Sequence, residues 1–113
     1  MKKQPNQFLP LSQATFYILL SLRERRHGYG IMQDVESVSN GSVKMGPGTL
    51  YGALGKLEKQ GIILQVLNEE DTRRKYYELT DLGKEVLQME FERMEEVVKN
   101  SRSYIEELKG DKS

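Results

Sequence analysis

The sequence contains no cysteine and no tryptophan, and its only histidine is His27. Without cysteine there can be no disulfide, no thiolate metal site and no cysteine nucleophile. One histidine cannot build a multi-histidine metal centre, so no metal or cofactor is expected. Long apolar runs are also missing. The longest covers residues 16–20, against the roughly 20 residues a helix needs to cross a bilayer. Met1-Lys2-Lys3 is basic, but no signal-peptide core follows it. The expectation is a cytoplasmic chain with no membrane partner. Paired carboxylates, nucleophile–base spacing and a phosphate-binding glycine loop are absent as well, which argues against an enzyme.

No sign of charge is in excess: 17 basic and 17 acidic residues give a net charge of zero. The charges are nevertheless segregated. Residues 1–60 carry +4, residues 61–80 carry −1 and residues 81–113 carry −3. A local basic face matters more to a polyanion than the total does. With 113 residues, 37% of them hydrophobic and 30% charged, the chain suits one soluble domain with a modest core.

Residues 1–10, with two prolines among polar neighbours, read as a flexible N-terminal arm. Residues 11–22 are apolar nearly all round, too long for a strand, and begin near Ser12, a good helix cap. Arg23, Glu24, Arg25 and Arg26 close that helix in solvent. His27-Gly28-Tyr29-Gly30 reads as a turn. Ile31, Val35 and Val38 then recur at helical spacing until Asn40-Gly41. Gly46-Pro47-Gly48-Thr49 opens a third helix with proline at its first position; Leu50, Ala53, Leu54 and Leu57 form its inner face, and Gly61 stops it. Residues 62–68 and 73–79 are strand-like and make a hairpin with a charged tip. Alternation turns Tyr77 and Leu79 to the core and Tyr76 away from it. Thr80 can cap a last helix, with Asp81 in its first turn, that runs to about residue 108.

Three helices, a hairpin and a long helix give a mainly α fold with a small β-hairpin: a winged helix-turn-helix over residues 11–80, followed by a C-terminal dimerisation helix over 81–113. The outer face of the third helix offers Gly48, Thr49, Tyr51, Gly52, Gly55, Lys56 and Lys59. Small residues let a backbone approach DNA, hydroxyls bond phosphates or base edges, and lysines supply charge. Each glycine costs about 1 kcal/mol against alanine inside a helix, so two on one exposed face ask for a reason. Arg73, Arg74 and Lys75 at the hairpin tip can reach phosphates, and His27 and Tyr29 stand where the second helix could meet one.

In the last helix Leu87, Phe91, Met94, Val98, Ser101, Ile105 and Leu108 alternate in steps of four and three, a heptad seam. Val86, Val97 and Tyr104 widen it. Its expected partner is a second copy of the chain, which would set two reading helices on one duplex and make the operator an inverted repeat. Phe16, Tyr17, Met89, Phe91 and Met94 could line a small-molecule effector site at that interface. The competing reading is a winged helix used for protein–protein contact without DNA; the wing cations and the third-helix lysines count against it.

Tyr29-Gly30-Ile31, the run Gly46-Pro47-Gly48-Thr49-Leu50-Tyr51 with Leu54, Leu57 and Gly61-Ile62, and Arg73-Arg74-Lys75-Tyr76-Tyr77-Glu78-Leu79-Thr80 with Gly83 together resemble the PadR family of transcriptional regulators. The resemblance covers roughly residues 11–85. It implies a cytoplasmic, homodimeric repressor of double-stranded operator DNA, released by a small molecule or stress signal, in the subgroup with a single C-terminal helix. Two features depart from the pattern. Gly52 stands where many members have proline, and the chain lacks the tryptophan pair with which some members sandwich flat aromatic drugs.

Overall fold

The computed structural model describes residues 3–110. Its elements are a 3-10 turn (Pro5–Phe8), α1 (Gln13–Ser21), β1 (Arg26–His27), α2 (Gly28–Val38), α3 (Pro47–Lys59), β2 (Ile63–Val66), β3 (Tyr76–Leu79) and α4 (Asp81–Gly110).

The helix boundaries follow their capping residues. Ser12 accepts a hydrogen bond from the Thr15 amide at 3.1 Å and starts α1. Asn40 and Gly41 adopt positive φ and end α2, with the Gly41 amide donating back to the Glu36 carbonyl. Thr80 accepts from the Gly83 amide at 3.0 Å and starts α4, and its own hydroxyl is tied to the carbonyls of Gly61 and Ile62. The last of these contacts brings α4 so close that a β-carbon on Gly83 would sit 2.1 Å from the Ile62 carbonyl oxygen.

Ile18, Leu19, Leu22, Ile31, Val35, Leu50, Leu54, Leu57, Ile62, Ile63, Tyr77, Leu79 and Val86 form one buried core. It sits between α1, α2, α3, the start of α4 and the inner face of the sheet. Tyr77 and Leu79 point into it, as the alternation along β3 requires.

The structure revises several boundaries. The segment read as a loose arm folds from residue 3 onward: Pro5–Phe8 form a turn, Phe8 and Leu9 pack on the core, and Lys3 donates to the Gln60 carbonyl. Met1 and Lys2 of the arm, and residues 111–113 of the segment assigned to dimerisation, lie outside the described residues. The sheet has three antiparallel strands, ordered β1-β3-β2, rather than a hairpin alone. Residues 26 and 27 pair with Tyr77 and Tyr76, and His27 caps α2 rather than lying in a turn. The wing strands are shorter than expected, because Asn68 accepts from the Glu70 amide through its side chain and from the Asp71 amide through its carbonyl. That turn leaves residues 67–75 as the wing loop. Val86, read as part of the seam, is fully buried in the body's core.

Beyond Glu90 no residue of α4 is buried. The Cα radius of gyration is 16.9 Å, above the roughly 13 Å of a compact chain of this length. The projecting helix accounts for the difference.

Candidate nucleic-acid interface

Helix α3 turns Leu50, Leu54 and Leu57 inward. At 100° per residue, Gly48, Gly52, Gly55 and Lys59 then form its outermost ridge, with Thr49 and Lys56 on one flank and Tyr51 on the other. Gly48, Thr49, Tyr51, Gly52, Lys56 and Lys59 are exposed. A β-carbon at Gly48, Gly52 or Gly55 would meet nothing within 4 Å. The chain's own packing therefore gives no reason for glycine at these positions. No side chain caps the helix N-terminus, so its first amides face outward.

Tyr51 leans on the start of α2. Its hydroxyl occupies the space where a Gly28 β-carbon would be, so a side chain at Gly28 would have to turn the Tyr51 ring aside, whereas one at Gly52 would meet nothing. Next to Gly28, the His27 Nδ1 accepts from the Gly30 amide at 3.0 Å. The Nε2 of the same ring lies 2.8 Å from an Arg74 guanidinium nitrogen, and Tyr76 stacks edge-on against it at 5.3 Å. A neutral imidazole has one acceptor nitrogen, so Gly30 and Arg74 cannot both donate to it. With Nδ1 occupied by Gly30, Nε2–H and Arg74 are two adjacent donors, a pair suited to sharing one acceptor oxygen. Arg74 is also 3.5 Å from Asp71, which accepts from the Tyr76 hydroxyl. Burial raises the Tyr76 phenol above its ordinary value, and the Asp71 hydrogen bond adds to this. Tyr51 and Gly28 thus bring α3 against α2, and Arg74 of the wing lies beside His27 at the start of α2. Tyr29, 61% exposed, stands beside them.

The cations divide into two groups. Arg23 pairs bidentately with Asp34 and donates to the Leu20 carbonyl. Arg26 bonds the Ser21 carbonyl and reaches Asp34 and Glu24. Arg25 bonds Glu78 and the Leu67 carbonyl. This cluster, expected in solvent, holds α1, α2 and the sheet together. Hydrogen bonding from Arg23 keeps the Asp34 carboxyl below the usual carboxylate range. Lys44, Lys56, Lys59, Arg73 and Lys75 enter no ion pair, and among the described residues neither do Lys3, Lys84, Lys99, Arg102 and Lys109. Lys44 escaped the sequence reading; its signal was its place in the turn leading into α3.

On α4, Phe91, Val98, Ile105 and Leu108 are 52%, 53%, 48% and 69% exposed, and Met94 is half-buried. Leu87, assigned to the same seam, packs instead on the body's core. Ser101 donates to the Val97 carbonyl. Phe16, Phe91, Met94 and Val98 line an open groove of about 550 Å³ edged by Glu95, Lys99 and Arg102. Tyr17 packs edge-on against Phe16, while Met89 lies outside the groove.

Helix-turn-helix, wing and exposed basic helix define a winged-helix protein. Residues 11–89 match the transcriptional regulator PadR-like family, and the chain belongs to that family. That family is one of transcriptional regulators. A transcriptional regulator from Clostridium thermocellum has a similar structure, with 27% identity and a TM-score of 0.65 over 82% of this chain and 92% of that one. A PadR family regulator from Clostridium difficile shares the fold, with a TM-score of 0.69 at 23% identity over 83% and 99% of the two chains. The transcriptional regulator YqjI of Escherichia coli is 30% identical over 65% of this chain and 34% of its own length. The chain spans between 25% and 64% of the length of the curated relatives it matches. No helix among the described residues is long and apolar enough to cross a membrane.

Proposed function

We propose that this chain is a homodimeric repressor that reads an inverted-repeat operator with α3 and the wing. The observation that carries the reading is the open space over Gly48, Gly52 and Gly55. Interior glycines weaken α3 by about 1 kcal/mol each, and close approach of a duplex gives them a purpose. Gly48, Thr49, Tyr51 and Gly52 enter the major groove, with Thr49 and Tyr51 positioned for base edges. Lys56, Arg73 and Lys75 meet phosphates. His27 and Arg74 share a phosphate oxygen, and Tyr29 stands beside them.

The exposed stripe from Phe91 through Met94, Val98, Ile105 and Leu108 supports pairing with a second copy, because a bare apolar stripe of this length marks an interaction surface. Leu87 contributes at the edge where α4 leaves the body. The groove between α1 and α4, with Phe16 and Phe91 in its wall and Tyr17 behind, is the place for an effector that releases DNA. Met89 has no part in it.

Selection of bound sequences from random duplex DNA tests the proposal. Enrichment of an inverted repeat that a chain altered at Thr49 and Lys56 no longer retains supports it. Equal retention of all sequences by both proteins contradicts it.

A further inference from the structure

Glu90 is 1% exposed and is the one charged residue buried among the described residues. A buried carboxylate is costly unless its oxygens are bonded, and here both are. Oε2 accepts the Leu11 amide at 2.6 Å, and the Arg93 guanidinium, one turn along the helix, bonds both oxygens. Leu11 immediately precedes Ser12, the cap of α1. Glu90 is also the last of the three buried residues of α4, after Gly83 and Val86; about 30 Å of helix follows it at 1.5 Å per residue. This side chain therefore ties the point where α4 leaves the body to the point where α1 begins. An apolar residue would bury α4 as well at lower cost, since ion pairs in low dielectric seldom outdo hydrophobic packing in stability. What the directed hydrogen bond to Leu11 adds, with Arg93 holding the carboxylate in place, is a fixed direction.

We propose that Glu90 is a positioning residue that sets the angle between α4 and the winged body, and so the separation of the two α3 helices across the dimer. The proposal rests on the dimeric DNA-binding reading above. A tilt of about 10° at Glu90 moves the far end of a 30 Å helix by about 5 Å, more than the 3.4 Å rise of one base pair. Operator spacing is therefore the quantity that should register loss of the tie.

The test uses the full chain. Glu90→Met keeps the length and the apolar contacts but removes both oxygens. Glu90→Gln keeps an acceptor for the Leu11 amide. Affinity is measured on duplexes whose half-sites are moved by one or two base pairs, with sedimentation in parallel. Wild type and E90Q are expected to prefer one spacing by about tenfold or more, and E90M, still dimeric, by about threefold or less. The proposal is overturned if E90M keeps the wild-type preference or if E90Q loses it as fully as E90M. Should E90M not fold, Arg93→Ala takes its place, since it keeps the carboxylate: spacing preference and slow exchange of the Leu11 amide that are kept together or lost together uphold the tie, and either one lost without the other overturns it. A wild-type protein that is monomeric or ignores every duplex fails the dimer reading first, and the proposal with it.

Discussion

The Tyr51 hydroxyl lies 2.1 Å from where a β-carbon on Gly28 would stand. The contact fixes a residue of the reading helix against the first turn of the preceding one. Gly28→Ala should therefore turn Tyr51 aside, at a cost of about 1 kcal/mol, since the displaced atoms are the end of a half-exposed side chain. In a Tyr51→Ala background the same change should cost under about 1 kcal/mol, because the obstructing ring is gone. Thermal unfolding of the four proteins checks this, and additive effects would count against the contact.

Gly52 and Gly55 carry the opposite expectation. Neither position has a neighbour that alanine would touch, so G52A and G55A should each stabilise the chain by about 0.5–1 kcal/mol. The added methyl groups stand between α3 and the duplex, so operator affinity should fall at least several-fold. Denaturant unfolding and fluorescence anisotropy together read both signs. A gain in stability with unchanged binding would place the duplex elsewhere.

Cations that look equivalent in sequence should behave differently. Lys56→Ala and Arg73→Ala should each lower the slope of log affinity against log salt by about one phosphate contact. Arg25→Ala should leave that slope unchanged, because Arg25 is engaged with Glu78 and the Leu67 carbonyl. A salt titration of the three variants distinguishes them.

This division of the arginines shows where the sequence was legible and where it was not. Helix faces and stops followed from local chemistry: Ser12, Pro47, Gly61 and Thr80 act within a few residues of where they stand. The inward turn of Tyr77 and Leu79 followed from period two. Contacts between distant segments left no such mark. Nothing near Arg23 announces Asp34 eleven residues on, and nothing near Glu90 announces Leu11. Glu90 is one of several acids along the last helix, and its spacing gives no sign of burial. The strand that ends at His27 leaves no pattern either, because a two-residue edge strand is too short to show one.

Asp34 gives a pH dependence. Its carboxyl is held low by hydrogen bonding from Arg23, against the opposing effect of burial. A lowered carboxyl contributes stability above its unfolded value and loses it as pH falls through the folded one. Asp34→Asn should thus cost about 1–2 kcal/mol at pH 7. The gap between wild type and variant should close below about pH 4. Urea unfolding across pH 3–7 measures this, and a gap that widens in acid would contradict the pairing.

The central claim is that two copies of the chain, joined along α4, place two α3 helices on one duplex. Native mass spectrometry of the protein with a duplex recovered by selection tests it most directly. The expected result is two chains per duplex on an inverted repeat whose half-site centres lie about 34 Å apart, one helical turn. One chain per duplex, or selected sequences without two-fold symmetry, would contradict it.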